Sequence, residues 1–288
     1  VREAANPPGL LEELEREAVG ALSDEDVSPD YVGRQSRSGQ MGAYLIETYR
    51  PTLTAVHLIA VDHFEHEDGR DSPMVRRALA SADTAVGELL DAARRAGIAD
   101  STTFVITGDH GFFDVHSTLA PNVWLAEAGL MEPQRDRGDW RATFHAASAS
   151  AFLHLRDPED DAAVARVREL LASAPAALRK LFRIVERQEL DRLGADPAAV
   201  LALSPMPGVS ISSSASGAVL RPGGGGNHGF HPDYPELHTG FVAAGPAIAR
   251  REIARMELLD LAPTIAALLA LDLPDVEGTL YPGIIARR

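Results

Sequence analysis

The sequence predicts an α/β fold, and three observations carry that expectation. Two apolar runs, residues 54–61 and 102–107, are separated by a long helical spacer, the pattern of a β-α-β unit with a right-handed crossover. A third apolar run, residues 239–244, is followed by a strongly apolar helix-length segment at 257–270. Short acid/histidine clusters closely follow the first two runs, and open α/β sheets place their ligands at strand ends.

The elements are read in order. Residues 9–22 form an amphipathic helix with Leu10, Leu11, Leu14, Ala18 and Leu22 on one face. Residues 23–39 are polar and turn-rich, and 40–49 are helical, leading through Pro51 into the first strand. Ser72 can cap a helix that starts at Pro73 and runs to about residue 96. After the strand at 102–107 comes a helix at about 120–129. Residues 131–221 are less regular and read as an inserted, substrate-side region. It holds strand 149–155, helix 159–172, strand 181–186, a short helix 187–193 and strands near 199–203 and 209–213. The strand at 239–244 ends in Gly245-Pro246, and helix 257–270 packs on the sheet. Residues 1–288 are expected to be a single domain.

Composition narrows the function classes. A chain of 288 residues with 45% hydrophobic content can build a sizeable core. A net charge of −15 argues against a nucleic-acid-binding surface, which needs a concentrated basic face. A phosphate substrate is compatible with that charge if a metal supplies the local positive field. There is no cysteine, so disulfides, thiolate metal sites and a cysteine nucleophile are excluded. No apolar stretch is long enough to cross a bilayer. The start, Val1-Arg2-Glu3-Ala4-Ala5, lacks the pattern of a signal peptide.

Three clusters carry the chemistry: Asp62-His63-Phe64-Glu65-His66, Asp109-His110-Gly111 and Asn227-His228-Gly229, the last following the glycine run 223–226. Carboxylate oxygen together with neutral imidazole nitrogen suits a borderline divalent ion such as zinc or manganese. Asp62 and His66 can converge on one ion if the chain turns where the strand ends. Asp109 and His110 abruptly close an apolar strand, and Gly111 permits a tight turn. Each cluster alone also reads as a solvated loop or turn, and His228 alone as a loop histidine. Together they point to a metal site on one sheet edge.

The chain resembles the type I phosphodiesterase/nucleotide pyrophosphatase family of the alkaline phosphatase superfamily. The resemblance rests on an ordered set of motifs: residues 62–69, Thr107-Gly108-Asp109-His110-Gly111-Phe112, and Pro121-Asn122-Val123-Trp124-Leu125 with Gly129-Leu130. It continues through His228-Gly229-Phe230-His231-Pro232, Phe241-Val242-Ala243-Ala244-Gly245-Pro246 and Leu259-Asp260-Leu261-Ala262-Pro263-Thr264. It implies an alkaline phosphatase-like α/β/α sandwich with a mainly parallel central sheet. It also implies two zinc ions, with manganese as an alternative ion, a phosphate-ester substrate, and a periplasmic or secreted location. Carried over by motif, Asp62, His66 and His228 hold one metal, while Asp109 and His110 are two ligands of the other. His63 and His238 flank these ligands as supporting or surface residues. The family's Thr or Ser nucleophile, and the Asp that ends its first strand, find no match in residues 1–50. Both are therefore expected upstream of this chain, with little turnover by the 288 residues alone. Gly108 stands where a Ser is often found. The implied activity is hydrolysis of phosphate diesters or related esters. The alternatives are another superfamily activity (phosphomonoesterase, phosphonate hydrolase or phosphoglycerate mutase) and a non-catalytic metal-binding or interaction domain.

Overall fold

The computed structural model describes residues 5–22, 30–133 and 139–286. In chain order its helices are α1 (Leu10–Leu14), α2 (Tyr31–Tyr49), α3 (Ala60–Asp68), α4 (Pro73–Arg95), α5 (Asn122–Glu127), α6 (Asp161–Ser173), α7 (Ala176–Arg179), α8 (Arg187–Arg192) and α9 (Leu261–Leu268). Its strands are β1 (Phe104–Thr107), β2 (Phe113–Leu119), β3 (Ala142–Ala147), β4 (Ser150–Leu155), β5 (Phe182–Glu186), β6 (Leu201–Pro205), β7 (Gly208–Ile211), β8 (Leu220–Pro222), β9 (Gly226–Asn227) and β10 (Phe241–Ala244). The fold is mixed α/β. Among the described residues no helix is long and apolar enough to cross a membrane. The chain divides into two compact units. One comprises Val1–His63, Arg76–Asp109 and Thr239–Arg288, and the other Phe64–Val75 with His110–His238.

In the first unit α2 begins nine residues earlier than its composition suggests, and residues 23–29 lie outside the described residues. Gly33, Ser36, Ser38 and Gly39 are weak helix formers, so packing decides the matter. A Cβ on Gly39 would lie 2.7 Å from Ala85 Cβ, and one on Gly42 would lie 2.8 Å from Leu89 Cδ2. The small residues therefore let α2 and α4 approach closely. Gln35, 1% exposed, ties the helix down: its Nε2 donates to the Ala78 carbonyl at 2.9 Å, and its Oε1 accepts from Ala60 N at 3.2 Å. Asp30 caps α2 by accepting from Gly33 N, a contact that contributes about 1 kcal/mol. Ala43 and Ile46 of α2 meet Ala92 and Ala93 of α4, with Phe104 of β1 against them.

The sheet differs from expectation. Residues 54–59 form no strand, and α3 starts at Ala60, whose N–H is taken by the Gln35 side chain instead of a ladder. The apolar run 54–61 was the basis for a strand, but the apolar pattern does not supply a neighbour to pair with. Strand β1 pairs with β10 in antiparallel register, Phe104↔Ala244 to Thr107↔Phe241. The expected mainly parallel sheet over these strands is thus corrected to a two-stranded antiparallel one. Asp260, from the last quoted motif, anchors the C-terminal segment by accepting from Thr279 N at 2.8 Å.

The second unit holds the largest apolar core, and it lies in the stretch expected to be less regular. Strands β3, β4, β6 and β5 form one antiparallel sheet in that order. Phe144, Leu153, Leu201 and Leu203 from this sheet pack with Val167 and Leu171 of α6, and with Leu119, Val209 and Ile211. Each such side chain, fully buried, stabilises by about 1.5–3 kcal/mol. Strand β2 pairs with β7 in parallel and with β8 and β9 antiparallel. Asn122, 1% exposed at the start of α5, joins these layers. Its Oδ1 accepts from Phe144 N at 2.7 Å, and its Nδ2 donates to the carbonyls of Phe144 and Ser213 at 2.9 and 3.0 Å.

Candidate metal centre

In the second unit three histidines gather around one phenylalanine. The register of β2 with β9 sets Phe113 opposite Asn227, so Phe112 and His110, just ahead of β2, come to the same end of the ladder as His228. His110 and His228 stack, with ring centroids 3.6 Å apart and planes at 10°. The His66 ring lies 5.0 Å from that of His228, tilted by 56°. Phe112, 2% exposed, is their common wall, at 4.8 Å from His66, 5.4 Å from His110 and 5.1 Å from His228.

His66 enters from the last turn of α3, and its Nδ1 lies 3.1 Å from the carbonyl oxygen of Gly226. A carbonyl oxygen can only accept, so Nδ1 is the donating nitrogen in this contact. A carbonyl holding the far nitrogen of an imidazole is the support that a metal-binding histidine uses. The glycine run makes this approach possible. A Cβ on Gly226 would lie 2.6 Å from the Glu65 carbonyl oxygen, and one on Gly225 (φ 67°) would collide with the carbonyl of His66. Val115 N–H donates to the Gly225 carbonyl at 2.9 Å, and Asp114 Oδ1 accepts from Arg70 N at 2.9 Å. The loop 223–226 is thereby held between β2 and the end of α3. An imidazole donor set of this kind fits a borderline divalent ion.

His238 also lies in this unit. It is exposed, and its backbone N–H donates to the Pro235 carbonyl at 3.0 Å. His231 is part of the same motif as His228. It is 7% exposed, with Nε2 3.2 Å from Glu189 Oε1 and Nδ1 3.2 Å from Asp233 Oδ2. No local pattern links it to Glu189, which lies on α8. Ser148, also unremarked in the sequence, sits in the β3–β4 turn with Oγ 3.5 Å from His228 Nε2.

The remaining predicted residues belong to the first unit. Asp62 is half-buried in the first turn of α3, four residues ahead of His66 in the same helix, a spacing that puts both on one helix face. It is this helix, rather than a turn at a strand end, that orients the pair. His63 stacks on Tyr31 with centroids 3.4 Å apart, and the Arg34 guanidinium lies 5.0 Å from the Tyr31 ring centroid. Asp109 is exposed, two residues beyond β1. A Cβ on the preceding Gly108 would collide with Thr239 Oγ1, so the threonine hydroxyl occupies the space a serine side chain at 108 would enter.

A profile of the type I phosphodiesterase / nucleotide pyrophosphatase family matches residues 13–231. Among solved structures, murine ectonucleotide pyrophosphatase/phosphodiesterase 5 matches with a TM-score of 0.66 and 20% identity, over 86% of this chain and 64% of that one. The human protein of the same name matches with a TM-score of 0.67 and 18% identity, over 90% and 65%. The murine protein is also known as an inactive variant in complex with AMP. These likenesses show the α/β fold. The chain spans a little under two thirds of the length of these structures. A search of curated proteins gives no match.

Proposed function

Because this chain belongs to the type I phosphodiesterase/nucleotide pyrophosphatase family, we propose that it carries the metal-binding part of a hydrolase acting on phosphate diesters or related phosphate esters. The observation that carries the reading is the meeting of His66, His110 and His228 around Phe112. They come from three segments of the sequence, and each belongs to a motif of the family. The profile crosses both compact units, which supports treating them as parts of one catalytic domain. The AMP complex of the murine relative supports a nucleotide phosphate as the ligand class.

On the family's motif order, Asp62, His66 and His228 are assigned to one ion, and Asp109 with His110 to a second; zinc is the proposed metal. Bound there, the ions supply positive charge for the attacking and leaving oxygens of an in-line displacement at phosphorus. The chain's own residues do the rest of what is assigned to them. The Gly226 carbonyl accepts from His66 Nδ1. Phe112 holds the rings and keeps one side of the cluster apolar. The test pairs calorimetry with a panel of chromogenic phosphate diesters and monoesters. Zinc binding by this chain lost in His66→Ala, together with diester turnover by the full-length protein that disappears on chelation and returns with zinc, is the expected result. Unchanged zinc binding in that variant, or turnover indifferent to chelator, defeats the reading.

A further inference from the structure

Helix α2 runs back along residues 54–59, so its first turn returns to the end of that segment where Asp62 stands. Three contacts in one direction show this. A Cβ on Gly42 would lie 3.1 Å from Val56 Cγ2, Gln35 Oε1 accepts from Ala60 N at 3.2 Å, and Tyr31 stacks on His63 with ring centroids 3.4 Å apart and planes at 11°. The residues at the start of α2 thus gather beside the residue next to Asp62.

The Tyr31 ring also carries the guanidinium of Arg34, half-buried, with Cζ 5.0 Å from the ring centroid. Attraction to the ring face holds the cation there without using a hydrogen bond. Among the described residues the Arg34 guanidinium has no hydrogen-bond or ion-pair partner, whereas Arg95, Arg141 and Arg168 each engage a carboxylate. The chain has 42 acidic side chains, so acidic partners are abundant. The nearest in sequence, Asp30, is engaged otherwise: its Oδ1 accepts from Gly33 N as the cap of α2. Arg34 is therefore positioned by a ring while its planar set of N–H donors stays open, and it stands at the positive end of the 19-residue α2.

We propose that Arg34 binds the anionic group of the substrate: its guanidinium donates to the non-bridging oxygens of a phosphate brought to the Asp62 end of α3, with the Tyr31 ring as its support. The inference rests on the reading of that end of α3 as the place where a phosphate ester binds. Helix α3 carries Asp62, Glu65, Glu67 and Asp68, so an approaching phosphate meets negative charge and needs cationic donors beyond the ions themselves. A fork-shaped donor already held on a ring meets two phosphate oxygens with little further ordering.

The test titrates the zinc-loaded 288-residue chain with AMP and, separately, with adenosine, by calorimetry, while NMR follows the Arg34 Nε–H signal. AMP is expected to bind and shift that signal, and adenosine to leave it in place. Arg34→Met should bind AMP about 10–100-fold more weakly, the loss of charge-assisted hydrogen bonds. Its zinc affinity and urea midpoint should match the wild type, because the guanidinium holds no hydrogen bond in the free protein. Arg34→Lys keeps the charge without the fork and should recover only part of the AMP affinity. Asp62→Ala is the control and should lose AMP together with zinc. Wild-type AMP affinity in Arg34→Met, alongside loss in Asp62→Ala, overturns the role of Arg34 alone, as does a fall in zinc affinity or midpoint that accounts for the lost AMP binding. No AMP binding by the zinc-loaded wild type, or AMP binding untouched in Asp62→Ala, overturns the reading of the site and this inference with it.

Discussion

The imidazoles of His110 and His228 lie face to face, 3.6 Å apart and within 10° of parallel. Ring nitrogens offer their lone pairs in the ring plane, so two nearly parallel rings cannot both aim at one point. The proposed division of the two histidines gives each ring its own ion, at the spacing of about 3.5–4 Å used in two-metal phosphoryl transfer. Zinc titration by calorimetry should then show a tighter and a weaker event. His110→Ala should remove only the weaker one and His228→Ala the tighter one. A single event lost in both variants would mean that one ion is shared.

The approach of Gly226 to Glu65 predicts a coupled loss of stability and metal binding. Gly226→Ala places a methyl group 2.6 Å from the Glu65 carbonyl oxygen and must displace the loop or the end of α3. Overpacking of this kind costs about 1–3 kcal/mol, readable in urea unfolding without metal. The His66 Nδ1 contact with the Gly226 carbonyl moves with it, so zinc affinity should fall about 10–100-fold.

Asn122 belongs to a family motif, yet its contacts are those of a structural clip. Asn122→Ala leaves Phe144 N and the carbonyls of Phe144 and Ser213 without their side-chain partner in the core. About 1–3 kcal/mol is lost for each group left unsatisfied, so a clear drop in the urea midpoint is expected. Zinc affinity per folded molecule should stay near wild type.

Arg168 forms a two-point ion pair with Glu186, with contacts at 2.8 and 2.7 Å, and this hydrogen bonding holds the Glu186 carboxyl below its usual range. A carboxyl lowered on folding adds stability that is fully present above its unfolded value and lost as pH falls through the folded one. Arg168→Met should therefore flatten the acid limb of the stability-versus-pH curve. Both groups are largely exposed and screened, so the difference at neutral pH should be under about 1 kcal/mol.

The chemistry was more legible in the sequence than the topology. The acid/histidine clusters are local strings that can be read directly, and the rings of His66, His110 and His228 lie beside one another in the fold. Strand pairing is not local. The run 54–61 looks like a buried strand, but whether it becomes one depends on a neighbour, and Gln35 takes the Ala60 N–H instead. Residues 31–39 looked like a turn because Gly33, Gly39 and the serines disfavour an isolated helix; the helix exists because those same small residues fit against Ala85. The contacts of Ser148 and His231 were hidden for a related reason. Each depends on a residue dozens of positions away, His228 or Glu189, reached only through the folded chain.

Phe112 coordinates nothing, yet it touches all three imidazoles. The rings are therefore mechanically linked through a residue with no electron pair to offer. A smaller side chain there would loosen three donors at once, and a differently shaped one would retune all their bite angles together. Selectivity among divalent ions is set by such angles as much as by donor identity. On the proposed reading of the three rings as metal donors, ion preference is adjustable at a purely hydrocarbon position, without altering a single ligand.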